Sequence, residues 1–295
     1  MTKTGFIAIV GRPNVGKSTL LNSLLGEKVA IVSKKPQTTR SRITGILTEG
    51  ENQFVFLDTP GMLKPKNKLG DYMVKTINST IGEVDAAILV VDAAKPASDV
   101  ERTILKRLAD RKTPVILAIN KTDTVNGARV AERILEYKEL ADFFAVVPMA
   151  AARGEGVRII VDEAAKLLSE SDWFFPDDIV TSQPERVIAA EIIREKLLRT
   201  LNDEIPHGTA VVIEEFTEKP SIIIIRAEIY CEKESHKGII IGKGGAELKK
   251  VGTWAREDLE SFLGVKVHLD LWVKVKENWR DRPTLFEGLG FQSDK

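Results

Sequence analysis

Three observations predict an α/β domain with a mostly parallel sheet, followed by a smaller α+β domain. The length, 295 residues, fits two domains of ordinary size. Residues 1–172 alternate short apolar runs with amphipathic or polar stretches long enough for helices, the pattern of βαβ units. Residues 185–295 change plan, to two long β-rich stretches set between helical stripes. The stretch 173–184 between them carries Pro176, Asp177, Asp178 and Pro184 with no clear period, and reads as a linker.

In chain order, the strand candidates of the first domain are Phe6–Val10, Phe54–Leu57, Ala86–Val91, Val115–Ile119 and Phe144–Val147. Each is apolar throughout, as a strand buried on both faces must be. Ser41–Thr48 adds one further strand at an edge. In the second domain, Val187–Leu201 has apolar residues at 188, 192, 193, 197, 198 and 201, a helical stripe stopped by Pro206 and Gly208. Thr209–Phe216 and Ser221–Tyr230 flank TEKP as a hairpin. The glycine cluster Ser235–Gly245 reads as a loop, and Leu248, Val251, Ala255, Leu259 and Phe262 form a second helical stripe. Val265–Val275 alternates apolar and polar residues, a strand with one wet face.

Composition removes several classes of function. With 43% hydrophobic and 29% charged residues the chain is neither disordered nor fibrous. A lone cysteine, Cys231, excludes an intramolecular disulfide framework and a thiolate zinc site, and fits a reducing compartment. The longest apolar runs, such as Ala86–Val91 and Ile222–Ile225, fall far short of a membrane span. Phe6–Val10 is too short for a signal-peptide core. Lys+Arg and Asp+Glu balance at 43 each, which argues against coating nucleic acid by bulk electrostatics.

The strand candidate Phe6–Val10 runs directly into GRPNVGKST, followed by the apolar start LLNSLL. Gly11, Gly16, Lys17 and Ser18 fit G-x-x-x-x-G-K-[ST] between a strand and a helix. That spacing turns successive N–H groups toward phosphate oxygens at a helix N-terminus. Lys17 would reach the β- and γ-phosphates, and Ser18 would give a hydroxyl to Mg²⁺. DTPG (Asp58–Gly61) ends the run Phe54–Leu57, where a carboxylate can serve Mg²⁺ and the bare Gly61 lets its N–H approach a γ-phosphate. NKTD (Asn120–Asp123) ends Val115–Ile119, and its Asp123 can accept two N–H bonds from the guanine edge, a donor pair that adenine lacks. Either tetrapeptide alone is as readily a polar βα turn. Three motifs in one order, each at a strand end, leave that reading little room.

GRPNVGKS, PQTTR (Pro36–Arg40), DTPG and NKTD together resemble the motif series of the translation-factor-like branch of small GTPases. IIIGKGG with the stretch Ala246–Leu263 resembles a type II KH domain. The pairing, with the closing VKVKENWR (Val273–Arg280), is similar to the Era family of bacterial ribosome-assembly GTPases over nearly the whole chain. The resemblance implies a P-loop GTPase domain over residues 1–172 and a type II KH RNA-binding domain with a C-terminal tail over 185–295. It implies that Gly11, Arg12, Pro13, Asn14, Val15, Gly16, Lys17, Ser18 and Thr19 cradle the phosphates of GTP or GDP, with Asp58, Thr59, Pro60 and Gly61. Ser18, Thr39 and Asp58 are the implied Mg²⁺ ligands, with Thr38 the alternative to Thr39. Asn120, Lys121 and Asp123 are implied to hold guanine. The family's Ser-Ala pair falls at Ala150–Ala151 beside Ala152; Ala150 replaces the serine, and the Ala151 N–H is left to reach the guanine O6.

For hydrolysis the implied participants are Lys17, Thr39, Gly61 and Asn14. Met62 stands where Ras-like enzymes place a water-orienting glutamine and has no donor to do that. Arg12 and Arg40 lie near the site, either as catalytic cations or solvated. Slow intrinsic hydrolysis is expected, since a missing arginine finger alone is worth about 10³–10⁵-fold. Asn14 has two readings, a K⁺ ligand between the phosphates or a cap for the loop. The γ-phosphate is expected to order segments near residues 29–40 and 60–70, and Gly61–Asp71 has the composition of a mobile loop.

Gly242-Lys243-Gly244-Gly245 matches the GXXG loop with which KH domains clamp a single-stranded backbone. Lys237, Lys243, Lys249 and Lys250 surround it against one acid, Glu247. A plain helix-start turn is the bland alternative. Trp254, Trp272 and Trp279 are candidates for base stacking or for the core, with Trp272 offset from the apolar face of its strand. His207, His236 and His268 lack metal-ligand spacing. The resemblance implies the 3′ end of 16S ribosomal RNA and the small ribosomal subunit as partners. It also implies a monomer in the cytoplasm with peripheral contact to the inner face of the membrane. A nucleotide-gated protein- or membrane-interaction module with incidental hydrolysis is the competing reading, and an ATP-using kinase a distant third.

Overall fold

The computed structural model describes the chain except residues 34, 36, 63, 64, 66, 203, 283–288 and 290–295. Pro36 of PQTTR, Leu63, Lys64 and Lys66 of the expected mobile loop, and most of the C-terminal tail therefore lie outside the described residues. The chain forms two compact units. The first comprises Met1–Ala30, Thr39–Lys64 and Tyr72–Ser182; the second comprises Ile31–Thr38, Pro65–Asp71 and Gln183–Lys295.

In the first unit β1 (Lys3–Val10), β2 (Ile43–Glu49), β3 (Asn52–Asp58), β4 (Ala86–Asp92), β5 (Val115–Asn120) and β6 (Ala145–Pro148) form a sheet ordered β2-β3-β1-β4-β5-β6. The short β7 (Ser169–Glu170) adds to β1 antiparallel, β2 is antiparallel to β3, and the remaining pairings are parallel. The connecting helices are α1 (Lys17–Leu25), α2 (Lys68–Gly82), α3 (Asp99–Asp110), α4 (Gly127–Lys138) and α5 (Val157–Ala165). The strands are apolar throughout because both faces are covered. Ile7, Ile9, Ile88, Val90 and Ile116 pack with Leu20, Leu21 and Ile160 on one face. Ala8, Val10, Leu89, Val91 and Leu117 pack with Ile77, Ile104 and Leu108 on the other. Since β1, β3, β4 and β5 are parallel, the loops that follow them open at one edge, where open α/β sheets bind ligands.

Residues 174–181 follow the outer edge of β2. Gln53 Oε1 accepts the N–H groups of Phe174 and Phe175, the Ile46 N–H donates to the Val180 carbonyl at 2.8 Å, and the Thr181 hydroxyl donates to the Thr44 carbonyl.

The second unit contains α6 (Glu185–Thr200), β8 (Ala210–Lys219), β9 (Ile222–Cys231), α7 (Glu234–Ile241), α8 (Ala246–Leu263) and β10 (Lys266–Val275). Its sheet runs β10-β9-β8, with β8 and β9 an antiparallel hairpin and β10 parallel to β9. α6 and α8 contribute Ile192, Ile193, Val251, Ala255 and Leu259 to a core shared with Ile225, Ile229 and Val267. The hairpin departs from expectation at its tip: the strands continue through Thr217–Lys219, and the turn falls at Pro220–Ser221. The cluster Ser235–Gly245 also departs from the expected loop, since its first part is α7. Three consecutive isoleucines beside Gly238 carry no helical signature; burial of Ile240 and the left-handed Gly242 at φ 74° hold and end the helix instead. Val32 and Thr38 are tied to α6, where Glu195 accepts the Val32 N–H at 3.0 Å and Arg194 donates to the Thr38 carbonyl.

Candidate functional site

The site in the first unit is built at the ends of β1, β3 and β5. After β1 the chain turns through Gly11–Gly16 into α1, and Lys17, at the first helical position, folds back over the loop. Its Nζ donates to the carbonyls of Gly11 at 3.3 Å and Arg12 at 3.0 Å. Asp58, fully buried at the end of β3, accepts the Ser18 hydroxyl at 2.6 Å on Oδ2. Thr39 completes the group, its Oγ1 2.9 Å from Ser18 Oγ and 3.5 Å from Asp58 Oδ2. Three oxygen-bearing side chains from three separate motifs thus converge, and Asp58 Oδ1 is buried without a hydrogen-bond partner among the described residues. Small oxygen ligands with an uncompensated carboxylate are what a hard divalent cation requires.

Burial sets the electrostatics. It pushes the Asp58 carboxyl up to about 6, against the opposing pull of the Lys17 charge and the hydroxyl bonds. It brings the Lys17 ammonium down to about 8, with Asp58 resisting. Both groups are therefore held in a charged pair that lacks solvation, a state that phosphate and a cation would relieve.

DTPG is bound to the loop. The Thr59 N–H and hydroxyl donate to the Ile9 carbonyl at 3.3 and 2.9 Å, and the Met62 N–H donates to the Gly11 carbonyl. A Cβ on Gly61 would stand 2.7 Å from the Pro13 backbone, so only glycine fits this crossing. Met62 points its side chain into the apolar core. Arg40 is buried, so the solvated alternative fails for it, while Arg12, 20% exposed, pairs with Glu101 at 2.6 Å and donates to the Pro96 carbonyl.

At the end of β5, Asn120 braces two loops. Its Nδ2 donates to the Val15 carbonyl at 2.8 Å, and its Oδ1 accepts the Ala151 N–H at 2.9 Å. The Ala151 N–H expected to face guanine O6 is thus spent on Asn120. Lys121 ties the same region to the loop through the Asn14 carbonyl, 2.7 Å away, and to Asp92 at 2.8 Å. Asp123 Oδ2 lies 3.2 Å from Nε of Arg153, a residue the sequence reading did not single out although it directly follows the alanine run. Ala150 and Ala151 are buried and Ala152 is exposed.

In the second unit Gly242, Lys243, Gly244 and Gly245 join α7 to α8. Gly242 has φ 74°, and a Cβ there would meet the Glu247 N and Cγ at 2.9 Å. Beside this loop α8 and β10 enclose a groove of about 410 Å³, lined by Gly245, Leu248, Lys249, Gly252, Thr253, Arg256, Leu269 and Leu271. Thr253, Arg256, Leu269 and Leu271 carry no groove signal in the sequence because they come from one face of α8 and alternate positions of β10. Lys249 lines the groove, whereas Lys250, 100° further round the helix, stands over the Trp254 ring at 4.8 Å. Lys237 lies on α7, outside the lining. Trp272 is exposed on β10. Trp279 is fully buried and donates to the Gly208 carbonyl at 2.9 Å, so it anchors the chain after β10 and stacks on no base.

A nucleotide-type P-loop at one sheet edge, joined in sequence to a GXXG loop beside a basic-lined groove, defines a GTPase of the P-loop class with an attached KH domain. Residues 6–121 match the family described as 50S ribosome-binding GTPase, and residues 204–280 match the KH domain. The chain is 48% identical over 292 residues to GTPase Era of Alkaliphilus metalliredigens, spanning 98% of this chain and 99% of that one. It is 49% identical over 295 residues to GTPase Era of Thermoanaerobacter sp., spanning 99% and 98%. Among solved structures, Era in complex with MgGDPNP and nucleotides 1506-1542 of 16S ribosomal RNA superposes with a TM-score of 0.95 at 39% identity, covering 99% of this chain and all of that one. An Aquifex aeolicus Era variant bound to GDP and AlF4⁻ matches with the same TM-score and coverage at 40% identity. The chain belongs to the Era family of GTPases.

Proposed function

We propose that the chain is a GTP-binding and GTP-hydrolysing switch that grips the 3′ end of 16S ribosomal RNA through its KH groove and assists maturation of the small ribosomal subunit. The observation that carries the reading is the meeting of Ser18, Thr39 and Asp58 within 3.5 Å beside Lys17. Those residues fit Mg²⁺, which would supply positive charge to the β- and γ-phosphate oxygens. Lys17, held over the loop by two carbonyls, adds its own charge to the same oxygens, and Gly61 brings an N–H toward the γ-phosphate. Thr39 is the sensor: its hydroxyl would complete the ligands of the phosphate-bound Mg²⁺, and without the γ-phosphate it would be released. Asn120, Lys121 and Asp123 face the base, and Asp123 supplies the guanine preference. Residues 242–245 and Lys249 hold the RNA backbone, with Arg256 as a further cation in the groove.

With Met62 buried, intrinsic hydrolysis is slow; Asn14 would hold K⁺, which would supply part of the missing charge, in preference to only capping the loop. Equal rates in K⁺ and Na⁺ buffers would remove that role. The monomeric state and peripheral contact with an anionic membrane surface follow the family resemblance; sedimentation and vesicle flotation test them. The central test is filter binding of a single-stranded 16S 3′-end oligonucleotide to the parent protein and to Gly242→Asp. At least a tenfold loss in the variant is expected, and equal binding by both would strip the groove of its RNA role.

A further inference from the structure

Arg12 belongs to the phosphate loop, yet its side chain leaves the site. Its Nε lies 2.6 Å from Oε1 of Glu101, and its guanidinium also donates to the Pro96 carbonyl at 3.2 Å. Glu101 is completely buried at the start of α3. Its second oxygen, Oε2, takes the Ser98 N–H at 2.8 Å, the glutamate's half of a capping box, and also the Ser98 hydroxyl at 2.7 Å. The carboxylate is thus fixed by the helix start on one side and faces Arg12 on the other, with the Tyr137 hydroxyl also close to it. Capping alone does not call for an arginine from the phosphate loop. The backbone of Arg12 supplies the second half of the argument, since its carbonyl accepts the Lys17 ammonium at 3.0 Å.

We propose that Glu101 is a positioning residue for nucleotide binding: by anchoring the Arg12 guanidinium it fixes the Arg12 carbonyl, which in turn aims Lys17 at the phosphates. The chain of contacts runs from α3 through one side chain into the loop backbone and out to the ammonium. A loop rich in glycine has little stiffness of its own, and an anchored side chain at its second residue provides some. The inference rests on the reading that Lys17 grips the β- and γ-phosphates.

The test measures affinities of the full-length protein for GDP, GTP and GMP by competition against a fluorescent guanine nucleotide. Arg12→Ala and Glu101→Gln should each weaken GDP and GTP about tenfold and leave GMP within about twofold, because GMP has no β-phosphate. The double variant should be no worse than Arg12→Ala alone, since both changes break one link. Arg12→Lys should recover part of the loss. Equal losses for GMP and GDP, additive losses in the double variant, or undiminished GDP affinity in Arg12→Ala would each overturn the proposal. Should Glu101→Gln fail to fold, the Arg12→Ala split between GDP and GMP decides alone. Lys17→Ala tests the underlying reading separately: undiminished GDP affinity there would remove the role of Lys17 itself.

Discussion

Replacing Asn120 by alanine separates two roles that coincide in one side chain. The amide joins the Val15 carbonyl to the Ala151 N–H, and both of those residues are 2% exposed. Alanine leaves one acceptor and one donor buried without partners. Each such orphan costs about 1–3 kcal/mol, so the pair costs about 2–6 kcal/mol. In a domain of this size 1 kcal/mol moves the melting temperature by roughly 2–4 °C, which sets a minimum shift of about 4 °C. The assay is thermal unfolding of nucleotide-free protein, followed by circular dichroism, because loss of the guanine contact cannot contribute there. Asp123→Ala is the control. Its carboxylate faces only the exposed Arg153 in the ion pairs described, worth at most about 1 kcal/mol. That variant should lose guanine affinity while melting within a few degrees of the parent. If nucleotide-free Asn120→Ala melts within about 1 °C of the parent, the brace does not hold the loops and Asn120 acts on the base alone.

Three further outcomes follow from the same geometry. Asp58 raised to about 6 and Lys17 lowered to about 8 are both charged only between those values. A raised carboxyl loses stability as pH climbs through 6, and a lowered ammonium loses it as pH falls through 8, so the nucleotide-free first unit is least stable between them. The melting-temperature gain on adding Mg²⁺ and GDP should therefore peak between pH 6 and 8; the nucleotide's own phosphate titrates on the acid side, and Asp58→Asn, which should flatten only the protein's share, is the control. Cys231 is fully buried, and burial pushes its thiol up, so Ellman's reagent at pH 8 should find no thiol in native protein and one after denaturation. Trp279→Ala should cost the second unit about 3–5 kcal/mol in urea unfolding, whereas a stacking tryptophan would cost RNA affinity and little stability.

What the chain discloses in its sequence depends on whether a feature is contiguous. β4 is legible as AAILVVD because each of its faces meets a separate core, so no polar residue interrupts it. The phosphate loop is legible because its chemistry uses consecutive backbone N–H groups, which forces glycines and a lysine into fixed spacing. The Asn120–Ala151 brace and the Arg12–Glu101 anchor leave no such trace, since their members are 31 and 89 positions apart, and no residue type at one end demands the other. The groove is intermediate: GKGG is one word, but its walls are alternate residues of β10 and one face of α8. Even the zero net charge conceals this sorting. Lys196, 3% exposed, is bound to the fully buried Glu195 and to Asp258, so its charge never reaches a ligand. Lys249 and Arg256 line the groove. A protein can thus be neutral as a whole and still present a cationic grip, because Lys196 is neutralised in the interior while Lys249, and Arg256 in an exposed pair with Glu260, line the groove.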